Sequence, residues 1–244
     1  GLGDVYKRQE NGSISYRYEK KRVPKPQHDE FGVADFRELN LIVPIHKGDI
    51  IADIKQPTPG EPGVNIFGRA IMPEPGKMPN ITVGKNTLMT ADGKYIVSAC
   101  DGHIMYGTGC FNVEDTVTVK SDLDISVGNI DFFGDIYIKG NVMEGFSVKA
   151  GRSLKIEGTV FSADLAAGGD ITINGGAINS RIKSDGNVKI GFCENTDIKA
   201  DGNVESAQFA FCSVFCYGEL IAKGKTGVIT GLSLIHISEP TRRS

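Results

Sequence analysis

One short phrase, a glycine, then a small or polar residue, then an aliphatic, recurs down the C-terminal half of this chain and leaves it few ways to fold. It stands at Gly134-Asp135-Ile136, Gly169-Asp170-Ile171, Gly186-Asn187-Val188, Gly202-Asn203-Val204 and Gly218-Glu219-Leu220, with a looser copy at Gly151-Arg152-Ser153-Leu154. The aliphatics Ile136, Leu154, Ile171, Val188, Val204 and Leu220 lie 18, 17, 17, 16 and 16 residues apart. Self-similarity at so steady a period means stacked units. A single unit cannot bury its apolar row, whereas a stack makes a continuous core and pairs every strand edge with its neighbours.

Each interval holds two further aliphatic anchors, Val142 and Val148, then Val160 and Leu165, then Ile178 and Ile182. Three inward anchors predict about three short strands per coil of 16–18 residues. Ile136-Tyr137-Ile138 and Ile171-Thr172-Ile173 alternate with period two, and nothing in this half has helical period. Glycine, Asn and Asp at the corners supply the positive φ that sharp turns need. The expected fold is all-β: a parallel β-helix over 114–231, preceded by a small irregular β-rich domain over 10–113.

In that first domain Ser13-Ile14-Ser15-Tyr16-Arg17-Tyr18 reads as a half-buried strand, and Lys20–Pro26 as a solvated basic linker rather than an anion-binding patch. Asp35–Val43 and Gly48–Ile54 read as two strands joined by a His46-Lys47-Gly48 turn. Pro57–Gly63 reads as a stiff corner, with β structure resuming at Val64–Gly68. Asp92-Gly93 and Asp101-Gly102 are hairpin signals that predict an antiparallel meander over about 81–113. Thr116-Val117-Thr118-Val119 starts the first coil.

The two ends are related at the DNA level. One choice of codons for Gly1–Gln9 has a reverse complement that translates as Leu232–Pro240. That DNA resembles a transposon-end sequencing adapter, so residues 1–9 and 232–244 are expected to be adapter-encoded and the chain a metagenomic fragment, Glu10–Gly231, cut at both ends. The competing reading is a natural tail with Leu232–Ile237 as a last strand.

Net charge is −3, and −5 once Asp4, Lys7, Arg8, Glu239, Arg242 and Arg243 are set aside, which argues against nucleic acid bound on a basic face. Apolar residues come in short runs, against a membrane-spanning helix. Cys100, Cys110, Cys193, Cys212 and Cys216 are odd in number and irregular in spacing, against a disulfide framework and for a reducing compartment; they read as small buried hydrophobes. Gly224-Lys225-Thr226 is not a phosphate loop, because Glu219 stands where its first glycine belongs. Asp135, Asp170, Asp185 and Asp201 read as corner residues rather than calcium ligands, and His28, His46 and His103 all lie outside the coils. No catalytic, cofactor-binding or metal-ligating residue is assigned.

Two blocks of motifs carry a resemblance. One is Val33-x-Asp35-Phe36-Arg37-Glu38-Leu39-Asn40-x-Ile42 with Lys47-Gly48-Asp49, Pro57-Thr58-Pro59-Gly60-x-Pro62-Gly63-Val64 and Gly84-Lys85-Asn86. The other is Gly128-Asn129-Ile130-Asp131-Phe132-x-Gly134-Asp135 with Val142-x-x-Gly145-Phe146-x-Val148-Lys149-Ala150. Together they resemble the flagellar assembly protein A family, polymer-forming, bactofilin-like solenoid proteins formerly classed as a domain of unknown function. The resemblance implies a right-handed β-helix and a non-enzymatic cytoplasmic scaffold or regulatory protein. The cut solenoid end after Leu220, with the aliphatic Val228-Ile229 on it, predicts self-association through solenoid ends; the resemblance also implies a link to polar flagellar assembly under control of the glucose-specific phosphocarrier of the sugar phosphotransferase system. It carries no functional residue across, since its motifs are structural glycines and aliphatics. Phe209–Phe215 is bulkier than the family pattern. The alternatives are a carbohydrate-active β-helix enzyme, which would show carboxylates or cations clustered in a groove on one face, and a bactofilin-like cytoskeletal polymer.

Overall fold

The computed structural model describes residues 10–19, 27–28, 34–35, 39, 41–64, 67–107, 109–223 and 228–236. They fall into two compact units, one built from residues up to 22 with Ile45–Glu114, the other from Val23–Pro44 with the chain from Asp115 onward. Among the described residues there is no helix, and the regular elements are all β. The tail 1–9, the basic linker from Lys20 to Pro26 and the Gly224-Lys225-Thr226 motif lie outside the described residues.

The first unit packs a four-stranded antiparallel sheet, in the order Ser13–Tyr16, Ile50–Lys55, Tyr95–Ser98, Thr87–Met89, and a three-stranded one of Cys110–Glu114, Gly102–Gly107 and Pro44–Ile45. Its core is Ile45, Ile51, Ala52, Ile54, Ile96, Phe111 and Val113, with Ile14, Tyr16 and Tyr18 laid against it. The Asp92-Gly93 turn joins the paired strands Thr87–Met89 and Tyr95–Ser98, with Gly93 at φ 67°, as expected.

Two expectations are corrected here. Asp35–Val43 is not one strand: residues 39 and 41–43 lie outside any strand, the described strand residues here are Ala34–Asp35 and Pro44–Ile45, and the latter pairs with Gly102–Gly107 instead of forming a hairpin with Ile50–Lys55. Pro44 has no N–H to give a hairpin rung, and the turn is closed locally, His46 N–H donating to Asp49 Oδ2 (2.8 Å) and Asp49 N–H to the His46 carbonyl (3.0 Å). Nor does Asp101-Gly102 turn a hairpin. Gly102–Gly107 pairs forward with Cys110–Glu114, and Gly109 rather than Gly102 carries the positive φ, 87°. A Cβ on Gly102 would meet the Glu114 carbonyl oxygen at 2.3 Å, so this glycine serves close approach of two strands.

The second unit is a parallel β-solenoid of seven coils and three faces. First-face strands begin at Thr116, Asp135, Leu154, Ile171, Val188, Val204 and Leu220, and stack in that order. The six phrase aliphatics, Ile136 to Leu220, stand directly in register from coil to coil. The third face stacks Ile130–Phe132, Ser147–Ala150, Asp164–Ala167, Arg181–Ser184, Asp197–Ala200, Ser213–Cys216 and Ser233–His236. The second face starts as single bridges, Leu123 to Val142 to Val160, and becomes a ladder through Val160–Phe161, 176–178, 192–194, Gln208–Ala210 and Val228–Thr230. In the fourth and fifth coils one strand, Ile171–Ile178 or Val188–Glu194, runs from the first face onto the second.

One anchor is corrected. Ala177, not Ile178, is the inward residue, because alternation from Ile171 and Ile173 and the pairing of Val160 with Ala177 outrank side-chain size. Ser233–His236, within the segment attributed by its DNA to an adapter, lies parallel on Ser213–Cys216. An open sheet edge offers that pairing to any extended segment.

Inward columns from Val117 to Cys216 form one continuous core. In one coil a large inward residue is offset by small ones. Phe209, the largest fully buried side chain, sits in the coil whose other inward residues include Ser206, Cys212 and Cys216, which accounts for part of the bulky Phe209–Phe215 stretch. The first coil is closed over, with Val117, Leu123 and Ile130 buried and Ile42 and Val127 packed on the core, whereas inward residues of the last coil stand open, Ile229 being 50% and Leu234 44% exposed.

This packing separates two neighbouring phenylalanines. Phe209→Ala is expected to cost about 3–5 kcal/mol, the usual loss for a buried aromatic. Phe211→Asn should be neutral or stabilising by up to ~1 kcal/mol, since Phe211 is exposed and held at φ 54°, a backbone conformation that asparagine tolerates better. Denaturant midpoints of the two variants check this; equal shifts would contradict the assignment of Phe209 to the core.

Candidate functional site

The coil corners explain the recurring phrase. Asp170 Oδ1 accepts the Asn187 backbone N–H (2.7 Å), Asn187 Oδ1 that of Asn203 (2.9 Å), and Asn203 Oδ1 that of Glu219 (2.7 Å). Asp135 Oδ1 likewise accepts Ser153 N–H (3.0 Å). At the next corner Asp122 Oδ1 accepts Asn141 N–H (2.7 Å) and Asn141 Oδ1 accepts Thr159 N–H (2.8 Å). A corner turns these N–H groups away from the strand ladder, and each needs an acceptor. The glycine beside each acceptor makes room for it: a Cβ on Gly186, Gly202 or Gly218 would lie 2.2–2.5 Å from the Asx oxygen of the preceding coil.

Asp135 and Asp170 are therefore committed to backbone hydrogen bonds. Asp185 and Asp201 are exposed, one coil apart, at this same corner, each just before the phrase glycine. Among the described residues no group of three or more His, Cys, Asp or Glu could hold a metal ion. His46 lies on the first unit with Nδ1 3.5 Å from Asp101, and His103 is buried in Gly102–Gly107 of that same unit.

The corner between second and third faces repeats a left-handed residue: Gly128, Gly145, Ser162, Asn179, Asn195, Phe211 and Gly231 all have positive φ. The residue after it points inward and donates back across the turn, Ser180 Oγ to the Ile178 carbonyl (2.8 Å), Thr196 Oγ1 to Glu194 (2.8 Å) and Cys212 Sγ to Ala210 (3.3 Å). Cys212 thus fills a serine or threonine place. It also meets Cys193, 19 residues earlier, which spacing alone did not reveal. The hydrogen bond from Cys193 is the main cause drawing Cys212 down to about 6, while that bond and burial push Cys193 up. All five cysteines are free thiols.

On the outer surface, charges pair between coils. Glu157 accepts from Tyr137 Oη (2.9 Å) and from Asn174, and lies 3.0 Å from Lys155 Nζ. Lys155, then Tyr137 and Asn174, hold its carboxyl below the ordinary range. On the third face Arg181 binds both oxygens of Asp164 (2.7 and 2.9 Å). An open hollow of about 760 Å³ lies over this face, lined by Lys149, Asp164, Arg181, Lys183, Asp197 and Lys199, with Phe215 among its apolar residues. It is the charged groove that the carbohydrate-active alternative called for, although Asp164 has both oxygens engaged by the guanidinium.

Comparison with known families matches residues 115–241 to the Flagellar Assembly Protein A beta solenoid domain and residues 3–109 to the Flagellar Assembly Protein A N-terminal region. No curated protein and no solved structure gives a significant match.

The corner ladder makes a mutational forecast. Asn187→Ala removes the acceptor of Asn203 N–H and a donor to Asp170, and should cost about 1–3 kcal/mol by leaving those groups unsatisfied. Calcium or a chelator should leave the melting midpoint unchanged. A calcium-dependent midpoint, or stoichiometric metal by elemental analysis, would reassign the aspartates.

Proposed function

The chain belongs to the flagellar assembly protein A family, and from that premise we propose that it acts as a non-enzymatic scaffold or regulatory binding protein whose solenoid presents partner surfaces. The observation that supports this reading is the use made of the corner polar groups: Asp and Asn side chains that could serve chemistry are spent on backbone N–H groups of the next coil. A rigid stack with such corners offers long, fixed faces, which is what a scaffold needs. No helix among the described residues is long and apolar enough to cross a membrane. Cytoplasmic location, recruitment to a cell pole and control by a sugar phosphocarrier belong to this proposal through the family alone.

Self-association belongs to it as well. The last coil exposes Ile229, and among the described residues its strands stand last in their sheets, a template for another chain. Sedimentation across a concentration series should show association of the chain that Ile229→Lys weakens; a chain monomeric at high concentration would remove this part. On the same reading residues 1–9 and 232–244 add nothing essential, and a chain trimmed to 10–231 should melt no lower than the full one.

A second reading draws on the third-face hollow, where Asp164, Asp197, Arg181 and three lysines beside Phe215 could receive an anionic polysaccharide. Incubating the protein with pectic and alginate polysaccharides and measuring new reducing ends or unsaturated products decides between the two. The scaffold reading expects no product above the background of an Arg181→Ala, Asp197→Ala variant; turnover abolished by that variant would overturn it.

A further inference from the structure

The outward side of the second face differs from the other two. Met143, Phe161 and Ile178 stand above one another in three successive coils: Phe161 N–H donates to the Val142 carbonyl (2.9 Å), which sets Phe161 over Met143, and Phe161 is in register with Ile178. Phe192 joins them from the fifth coil. It lies opposite Gly176, where a Cβ would fall 2.2–2.5 Å from its ring carbons, so the ring rests on the fourth-coil backbone two residues from Ile178. Met143, Phe161 and Phe192 are each about two-fifths exposed. Contiguous exposed side chains of this size mark an interaction surface rather than scatter.

The charges at the described second-face positions beside the stripe are of one sign. Asp124 stands over Met143, Glu144 follows Met143, and Glu194 lies in register beneath Ile178. Ser126 donates to Asp124 through Oγ (2.6 Å) and N–H (2.8 Å), and these bonds hold that carboxyl below its ordinary range. No lysine or arginine occurs in the second-face segments Val160–Phe161, 176–178, 192–194, Gln208–Ala210 and Val228–Thr230. The first face, by contrast, carries Lys155 and Lys189, and the third carries Lys149, Arg181, Lys183 and Lys199.

We propose that the second face docks a protein segment whose aliphatic or aromatic side chains are flanked by lysine or arginine. The stripe supplies affinity by burying apolar area, and the carboxylates select the partner's cations and repel its competitors. A second copy of this chain meeting through the same face would set carboxylate against carboxylate, and an anionic lipid surface would be repelled in the same way. The proposal rests on the reading of this chain as a binding protein, and names the surface and the chemistry of its partner.

Three fluorescent peptides test it, with alternating Lys/Leu, Glu/Leu and Lys/Ser sequences, each titrated against the full chain by anisotropy at low and high salt. The Lys/Leu peptide should bind at least about tenfold tighter than either control, a difference that shrinks with salt. Phe161→Lys with Ile178→Lys should reduce its affinity about tenfold or more. Glu144→Lys with Glu194→Lys should invert the preference toward Glu/Leu, a change that mere damage to the fold does not produce. Lys183→Glu with Lys199→Glu, on the third face, should leave Lys/Leu binding no weaker. Thermal melts confirm that each variant folds, and Phe161→Ser replaces the double lysine variant should that one fail. Equal binding of the three peptides, or Lys/Leu binding unaffected by the second-face variants, overturns the proposal. Hydrogen-exchange protection by the Lys/Leu peptide on the third face would overturn the surface while leaving the binding reading in place. A dimer of the unmodified chain that Phe161→Lys dissolves would overturn it in favour of a second copy.

Discussion

A side-chain oxygen placed over a glycine of the next coil is the contact on which the solenoid depends. Strand ladders satisfy the backbone along the faces, but the corners break those ladders, and every broken rung leaves an N–H that is costly to bury unpaired. The Asx residues of one coil supply the acceptors, as Asn187 does for Asn203. Only a glycine leaves space for them, as at Gly202. Rung length, inward register and the direction of stacking follow, because each corner is located by the one before it. The same arrangement uses up polar side chains that might otherwise perform chemistry.

What is left for function is the outer surface, and it is not uniform. The first and third faces balance their charges between coils, through pairs such as Lys189 with Glu205 and Arg181 with Asp164. The second face sets an apolar stripe among carboxylates and has no cations in its strands. On the scaffold reading proposed above, faces of different chemistry would hold different partners at fixed spacing.

The solenoid was legible because its inward aliphatics must recur once per coil, so the period of Ile136 to Leu220 reports register directly. The first unit was less so. Its strands pair across long separations, Ser13–Tyr16 with Ile50–Lys55 for instance, and a local turn signal such as Asp101-Gly102 cannot tell a hairpin from a close approach between strands. Ile178 misled for a related reason: size suggested the core, while the parity of its strand set it outside. The second-face stripe did carry a signal, since Met143, Phe161 and Ile178 are 18 and 17 residues apart. That spacing is also the spacing of the core, and only exposure separates the two.

The sequence by itself determined the all-β class, the coil period, the corner residues and the family, because each is a one-dimensional pattern imposed by stacking. The tertiary structure decided which side of each strand faces water, which brought Cys193 to Cys212, set Phe209 inside and Phe211 outside, and gathered Asp124, Glu144 and Glu194 around one apolar stripe. These depend on how successive coils lie over one another in three dimensions, where a shift of one residue exchanges inside for outside.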